Sequence, residues 1–130
     1  MHQTLLPEGW PRPSGYANGI CASGNETLYI AGQIGWLPNG EFASDNLAEQ
    51  FKQCLLNIKA VLACADAGPE HITRMTWFIT DKQAYLAQLR EIGQAYREVI
   101  GKHYPAMSVV EVSALIEDRA LVEIEATAVK

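Results

Sequence analysis

The sequence predicts an α+β fold, ordered β-β-α-β-α-β-β, with two helices packed on one face of a mixed sheet. Three observations predict it. Two segments carry apolar residues at helical spacing, a segment between them alternates at strand spacing, and the last quarter reads as two strands with one apolar face each.

The first dozen residues, with Pro7, Pro11 and Pro13, read as an extended arm rather than a regular element. Tyr16 to Ala22 forms a first strand, and Ser23-Gly24-Asn25 turns the chain into a second, Thr27 to Ile34, rich in strand formers. Gly32 and Gly35 flank Gln33, where backbone can approach another group closely. Pro38-Asn39-Gly40 is a turn. Phe51, Leu55, Ile58, Leu62 and Ala65 make the stripe of a first helix, with Asn46 and Glu49 as a capping box and Gly68-Pro69 as the stop.

Ile72 to Thr80 alternates, placing Met75, Trp77 and Ile79 opposite Arg74, Thr76 and Phe78. Thr80 or Asp81 can cap a second helix, striped by Tyr85, Leu89, Ile92, Tyr96 and Val99 and ending before Gly101. Met107 to Leu115 and Leu121 to Val129 read as a closing hairpin. Val110, Val112 and Ala114, with Val122, Ile124, Ala126 and Ala128, belong against the helices. No repeat or second domain is visible, so residues 1–130 read as one domain.

Composition excludes several function classes. Apolar residues form 48% and charged residues 19% of the chain, with a net charge of −5. Nucleic-acid binding needs a basic footprint, and this balance is acidic. There is no apolar run long enough for a transmembrane helix, and no secretion signal in Met1 to Trp10, so no membrane partner is expected. Cys21, Cys54 and Cys64 read as structural thiols in a reducing compartment, which points to the cytoplasm. His2, His71 and His103 lie far apart with no metal-ligand spacing, so no metal is expected. Gly32-Gln33-Ile34-Gly35 precedes no helix and is not a dinucleotide fingerprint. Trp10, Trp36 and Trp77 read as packing residues.

The sheet face away from the helices is expected to carry Met107, Val109, Leu115, Leu121 and Val129 among Glu111, Glu123 and Glu125. That much apolar surface predicts a closed homo-oligomer. Symmetric pairing about Asp118 would set Glu111 against Glu125 and Ser113 against Glu123, an unfavourable pattern unless the face is wet or a neighbouring chain supplies a cation. A carboxylate there is a candidate general base or water-positioning group; the alternative is a solvated face alternating charged and apolar residues.

An ordered set of segments resembles the Rid family, the reactive intermediate deaminases also called YjgF. The set runs through Gly15-Tyr16, Leu28-Tyr29-Ile30-Ala31-Gly32-Gln33-Ile34, Glu49-Gln50, Asn57-Ile58, Ala67-Gly68 and Thr80-Asp81. It continues through Tyr104-Pro105-Ala106, Val110-Glu111-Val112 and Val122-Glu123-Ile124-Glu125-Ala126. The resemblance implies a chorismate-mutase-like fold, a homotrimer with pockets in the clefts between subunits, and cofactor-independent hydrolysis of reactive enamines and imines to ketones and ammonia. A small-molecule metabolite is the implied partner.

It also implies site residues. Tyr16 is the position near substrate, Glu123 the one associated with the attacking water, and Gly32 a backbone contact to ligand. The family arginine that holds the substrate carboxylate falls at Met107, its helix asparagine at Gly93, and a frequent cysteine at Val109. A carboxylate buried without a cation is heavily penalised. Either the substrate is therefore not a simple 2-imino acid, or another cation, with Arg12 and Arg74 as candidates, takes over. His103 and Tyr104 precede Met107 at the entry to its strand, where either could offer a polar group. The catalytically inactive alternative is a metabolite-binding trimer with a regulatory or scavenging role. An RNA-cleaving activity, sometimes attributed to relatives, is disfavoured by the acidic balance.

Overall fold

The computed structural model describes all 130 residues. It contains β1 (Gln3–Leu5), β2 (Gly19–Cys21), β3 (Thr27–Ile34), α1 (Leu47–Ala63), β4 (Ile72–Ile79), α2 (Lys82–Ala87), α3 (Leu89–Val99), β5 (Ala106–Glu111) and β6 (Val122–Val129). The predicted fold class holds: an α+β domain with its helices against one face of a mixed sheet. The sheet order is β3-β6-β4-β5, with β6 antiparallel to both neighbours and β4 parallel to β5.

Strand partners differ from expectation at both ends of the chain. The N-terminal arm is not wholly irregular: β1 pairs antiparallel with β2, so the first strand turns away from β3 and the opening hairpin is replaced by a separate ribbon. The closing hairpin is also absent. β4 lies between β5 and β6, so Glu123 sits opposite Phe78, Glu125 opposite Thr76, and Glu111 opposite Ile79. The Glu111–Glu125 and Ser113–Glu123 pairs do not form. The physical reason is connection length, because β4 and β5 are joined through α2 and α3 and such a crossover favours parallel neighbours.

Alternation is as expected on β4 and β6. Met75, Trp77 and Ile79, with Val122, Ile124, Ala126 and Ala128, are buried beneath the helices. On β5 the faces are the reverse of expectation. Met75 registers with Met107 and Trp77 with Val109, and both β5 residues line a cavity on the helix side. Val110 is exposed. Met107 and Val109 therefore cannot contribute to the uncovered face.

In α1, Asn46 Oδ1 accepts the Glu49 N–H at 3.1 Å, as a cap should. The helix ends before Gly68, where Asp66 takes the left-handed conformation at φ 54°. Phe51, Leu55, Ile58 and Leu62 are completely buried. The second helical segment is interrupted at Gln88, and Asp81, not Thr80, caps its first part by accepting Ala84 N–H at 3.1 Å.

One buried polar side chain organises the loop before α1. Gln50 is 1% exposed; its Nε2 donates to the carbonyls of Ser44 and Arg119, both at 3.0 Å, and its Oε1 accepts Leu121 N–H at 2.9 Å. Gln50→Leu would strand three backbone groups in the interior. We expect it to destabilise the fold by about 3 kcal/mol, read as a lower urea midpoint at unchanged slope.

Candidate functional site

The parallel register of β4 and β5 builds one wall of a cavity of about 590 Å³ from Trp77, Met107 and Val109. Ile92, Gly93, Tyr96 and Arg97 of α3 form a second wall, and Tyr85 and Leu89 extend it. Leu89 is exposed and faces the cavity, while Tyr85 is half-buried, lining the cavity and packing against the edge of the core. Ser14, Gly15 and Tyr16 also line the cavity. Gly15 turns the chain at φ 81°, and Ala17 N–H then donates to Pro105 carbonyl at 3.0 Å, fixing Tyr16 beside the start of β5.

The wall is a chain of aromatic contacts leading from the core. Phe51 meets Trp77 edge-on at 4.6 Å between centroids, Trp77 tilts against Tyr96 at 6.1 Å, and Tyr96 stacks on Tyr104 at 5.6 Å. Tyr96 donates its hydroxyl to His103 carbonyl, and burial, with Tyr104 as its neighbour, pushes its phenol well above the ordinary range. Desolvation also raises Tyr85. Both phenols therefore keep their protons at neutral pH. Trp77 is buried and its indole N–H has no acceptor in the chain.

Of the expected site residues, Tyr16, Gly93 and Met107 come together here. Gly32 and Glu123 do not. Glu123 lies on β6 opposite Phe78, on the sheet face that carries no helix. Its carboxylate lies over Gly32: a Cβ there would fall 2.5 Å from Glu123 Oε2, so any larger residue at 32 would displace the Glu123 side chain. Glu123 makes no hydrogen bond or ion pair within the chain, and its side chain is partly exposed.

The proposed cations are elsewhere. Arg74 lies on the open sheet face and lines a smaller cavity with Tyr29, Thr76 and Glu125. Arg12 lines a neighbouring, larger cavity of about 710 Å³ that shares Gly15, Tyr16 and Tyr104 with the first. Arg97 was missed, although its position one helical turn after Gly93 was a usable signal. Trp36 borders a separate groove with Gln33 and Asn57, and Trp10 is exposed, so of the three tryptophans only Trp77 is a core residue. Cys54 is buried, and desolvation raises its thiol far above neutrality, leaving it inert. No three His, Cys, Asp or Glu side chains are grouped as metal ligands, and no helix is long and apolar enough to cross a membrane.

The family model described as Endoribonuclease L-PSP matches residues 11–130. The chain belongs to the Rid (YjgF) family. A RutC family protein of Pyrococcus horikoshii is 36% identical over 131 residues, covering 100% of this chain and 99% of the relative. The human 2-iminobutanoate/2-iminopropanoate deaminase is 29% identical over 107 residues, 82% of this chain and 74% of that protein. Among solved structures, the Rid protein YyfB of Yersinia pestis superposes with a TM-score of 0.87 at 33% identity, covering 99% of this chain and 98% of that one. The Rid fold thus accounts for the sheet order and helix placement seen here.

Proposed function

We propose that this Rid protein is a cofactor-independent hydrolase of a small reactive enamine, imine or related metabolite, acting in a cleft between subunits of a homotrimer. The observation that carries this reading is the division of the site. Tyr16, Gly93 and Met107 line a cavity on one sheet face, while Glu123 and Gly32 sit on the other. No single chain can bring Glu123 to that cavity, but a neighbouring copy can present its open face to it. The uncovered strands, with Tyr29 82% exposed, supply a surface for such a contact.

In this arrangement Glu123 holds a water against the imine carbon and accepts its proton as the C–O bond forms. The imine reacts in its nitrogen-protonated form, so attack gives a neutral carbinolamine. Glu123 then returns its proton to the amine as the C–N bond breaks, takes up the hydroxyl proton as the carbonyl forms, and passes it to the departing ammonia, which leaves as ammonium. The imine carbon is already electrophilic, so positioning and one acid–base group suffice. That two relatives bear the name 2-iminobutanoate/2-iminopropanoate deaminase supports the reaction class. Met107 at the position read as the family arginine speaks against a short 2-imino acid as substrate, because a thioether cannot hold a carboxylate. The same feature favours the second reading, a binding trimer without turnover.

Imines generated in situ by an amino-acid oxidase and trapped with semicarbazide provide the assay. Wild type is expected to be slow on short 2-imino acids, and Met107→Arg faster by about tenfold or more. Silence of both proteins on every imine tried would overturn the hydrolase and leave the binding trimer.

A further inference from the structure

We propose that Arg97 is the anion-holding residue of the cavity between β5 and α3, and that its ligand is a carboxylate carried on an aromatic or similarly bulky apolar body. This rests on the reading above that the cavity is the Rid site, and it names the ligand class.

The lining has one cation and no anion. Arg97 is the only charged side chain among the thirteen residues that border the cavity, in a protein whose net charge is −5. It is not engaged elsewhere: Arg97 makes no ion pair and no hydrogen bond within the chain. Gly93, one turn earlier, lies beside it: a Cβ there would sit in ordinary van der Waals contact, 3.4 Å from Arg97 Nη1.

The remaining polar groups are donors or can act as donors. Tyr16, Tyr85 and Tyr104 line the cavity and make no hydrogen bond through their hydroxyls. Three free hydroxyls fit a ligand that brings acceptors. The rest of the surface is apolar: Leu89, Ile92, Met107 and Val109 with four tyrosines and a tryptophan. A volume near 590 Å³ is far more than a three- or four-carbon acid fills. The ligand's charge thus sits against the last turn of α3, and Met107 packs on its apolar body.

The test is calorimetric titration of the full-length protein with 3-phenylpropanoate, 3-phenylpropanamide and propanoate. The acid should bind at least about tenfold more tightly than its amide, and propanoate should be weaker than both. Arg97→Gln should remove the preference for the acid while leaving amide affinity unchanged, and Arg97→Lys should restore part of it. Arg12→Gln and Arg74→Gln should bind as wild type. Equal binding of acid and amide, no binding of either, or an Arg97→Gln protein that keeps the preference would each overturn the assignment. Turnover measured in parallel separates the two claims. Imine hydrolysis with no acid preference sinks Arg97 alone, whereas selective binding without hydrolysis of any imine sinks the hydrolase alone.

Discussion

Glu123→Gln is expected to lower turnover by about 10²–10⁴-fold while leaving the fold intact. Glutamine keeps the shape of the side chain but cannot take the proton that the attacking water must lose. The native carboxylate makes no bond within the chain and is partly exposed, so its replacement should leave the unfolding midpoint unchanged. Glu125, two residues on and more exposed on the same face, is the control: Glu125→Gln should retain wild-type turnover. Unchanged turnover in Glu123→Gln would remove this carboxylate from the reaction.

Phe51→Ala is expected to be the most damaging of the core changes. Phe51 is 1% exposed and contacts Trp77 edge-on, so its truncation leaves a void behind the residue that forms the cavity wall. The expected loss is about 4 kcal/mol, read as a lower denaturant midpoint at fixed protein concentration. Because Trp77 loses its support, KM should rise as well. Phe51→Leu, which refills most of the void, should recover much of both. A Phe51→Ala protein as stable as wild type would mean that this contact contributes little to the core.

Periodicity reveals a strand's face when one side is plainly polar, and β6 with Val122, Ile124, Ala126 and Ala128 was legible for that reason. β5 was not. Met107-Ser108-Val109-Val110 has apolar residues on both faces, and only its register with Met75 and Trp77 decides which one meets the helices. Pairing order is likewise non-local: nothing in Ala106–Glu111 states that β4 will separate it from β6. The βαβ reading of β4, the helices and β5 was available from connection length. The interruption at Gln88 has no sequence punctuation, since neither glycine nor proline marks it.

For the site, the motif resemblance supplied Tyr16, Gly93 and Met107, which the fold gathers, and Gly32 and Glu123, which it gathers separately. A one-dimensional pattern cannot show that two such groups lie on opposite faces of one sheet. Arg97 escaped notice because an arginine on an exposed helix position looks like ordinary surface charge. Only the cavity beside it gives that charge a use.

The most direct test of the central claim, a site shared between subunits, is complementation between two separately disabled chains. Glu123→Gln removes the carboxylate, and Gly93→Trp fills the cavity on the other sheet face. Each variant alone should be inactive toward imines the wild type hydrolyses. Co-refolded in equal amounts, they should recover roughly a quarter of wild-type activity, since random assembly of a closed ring joins two intact half-sites at that frequency. Mixed oligomers that form, by sedimentation, yet remain as inactive as the separate variants would contradict the shared site.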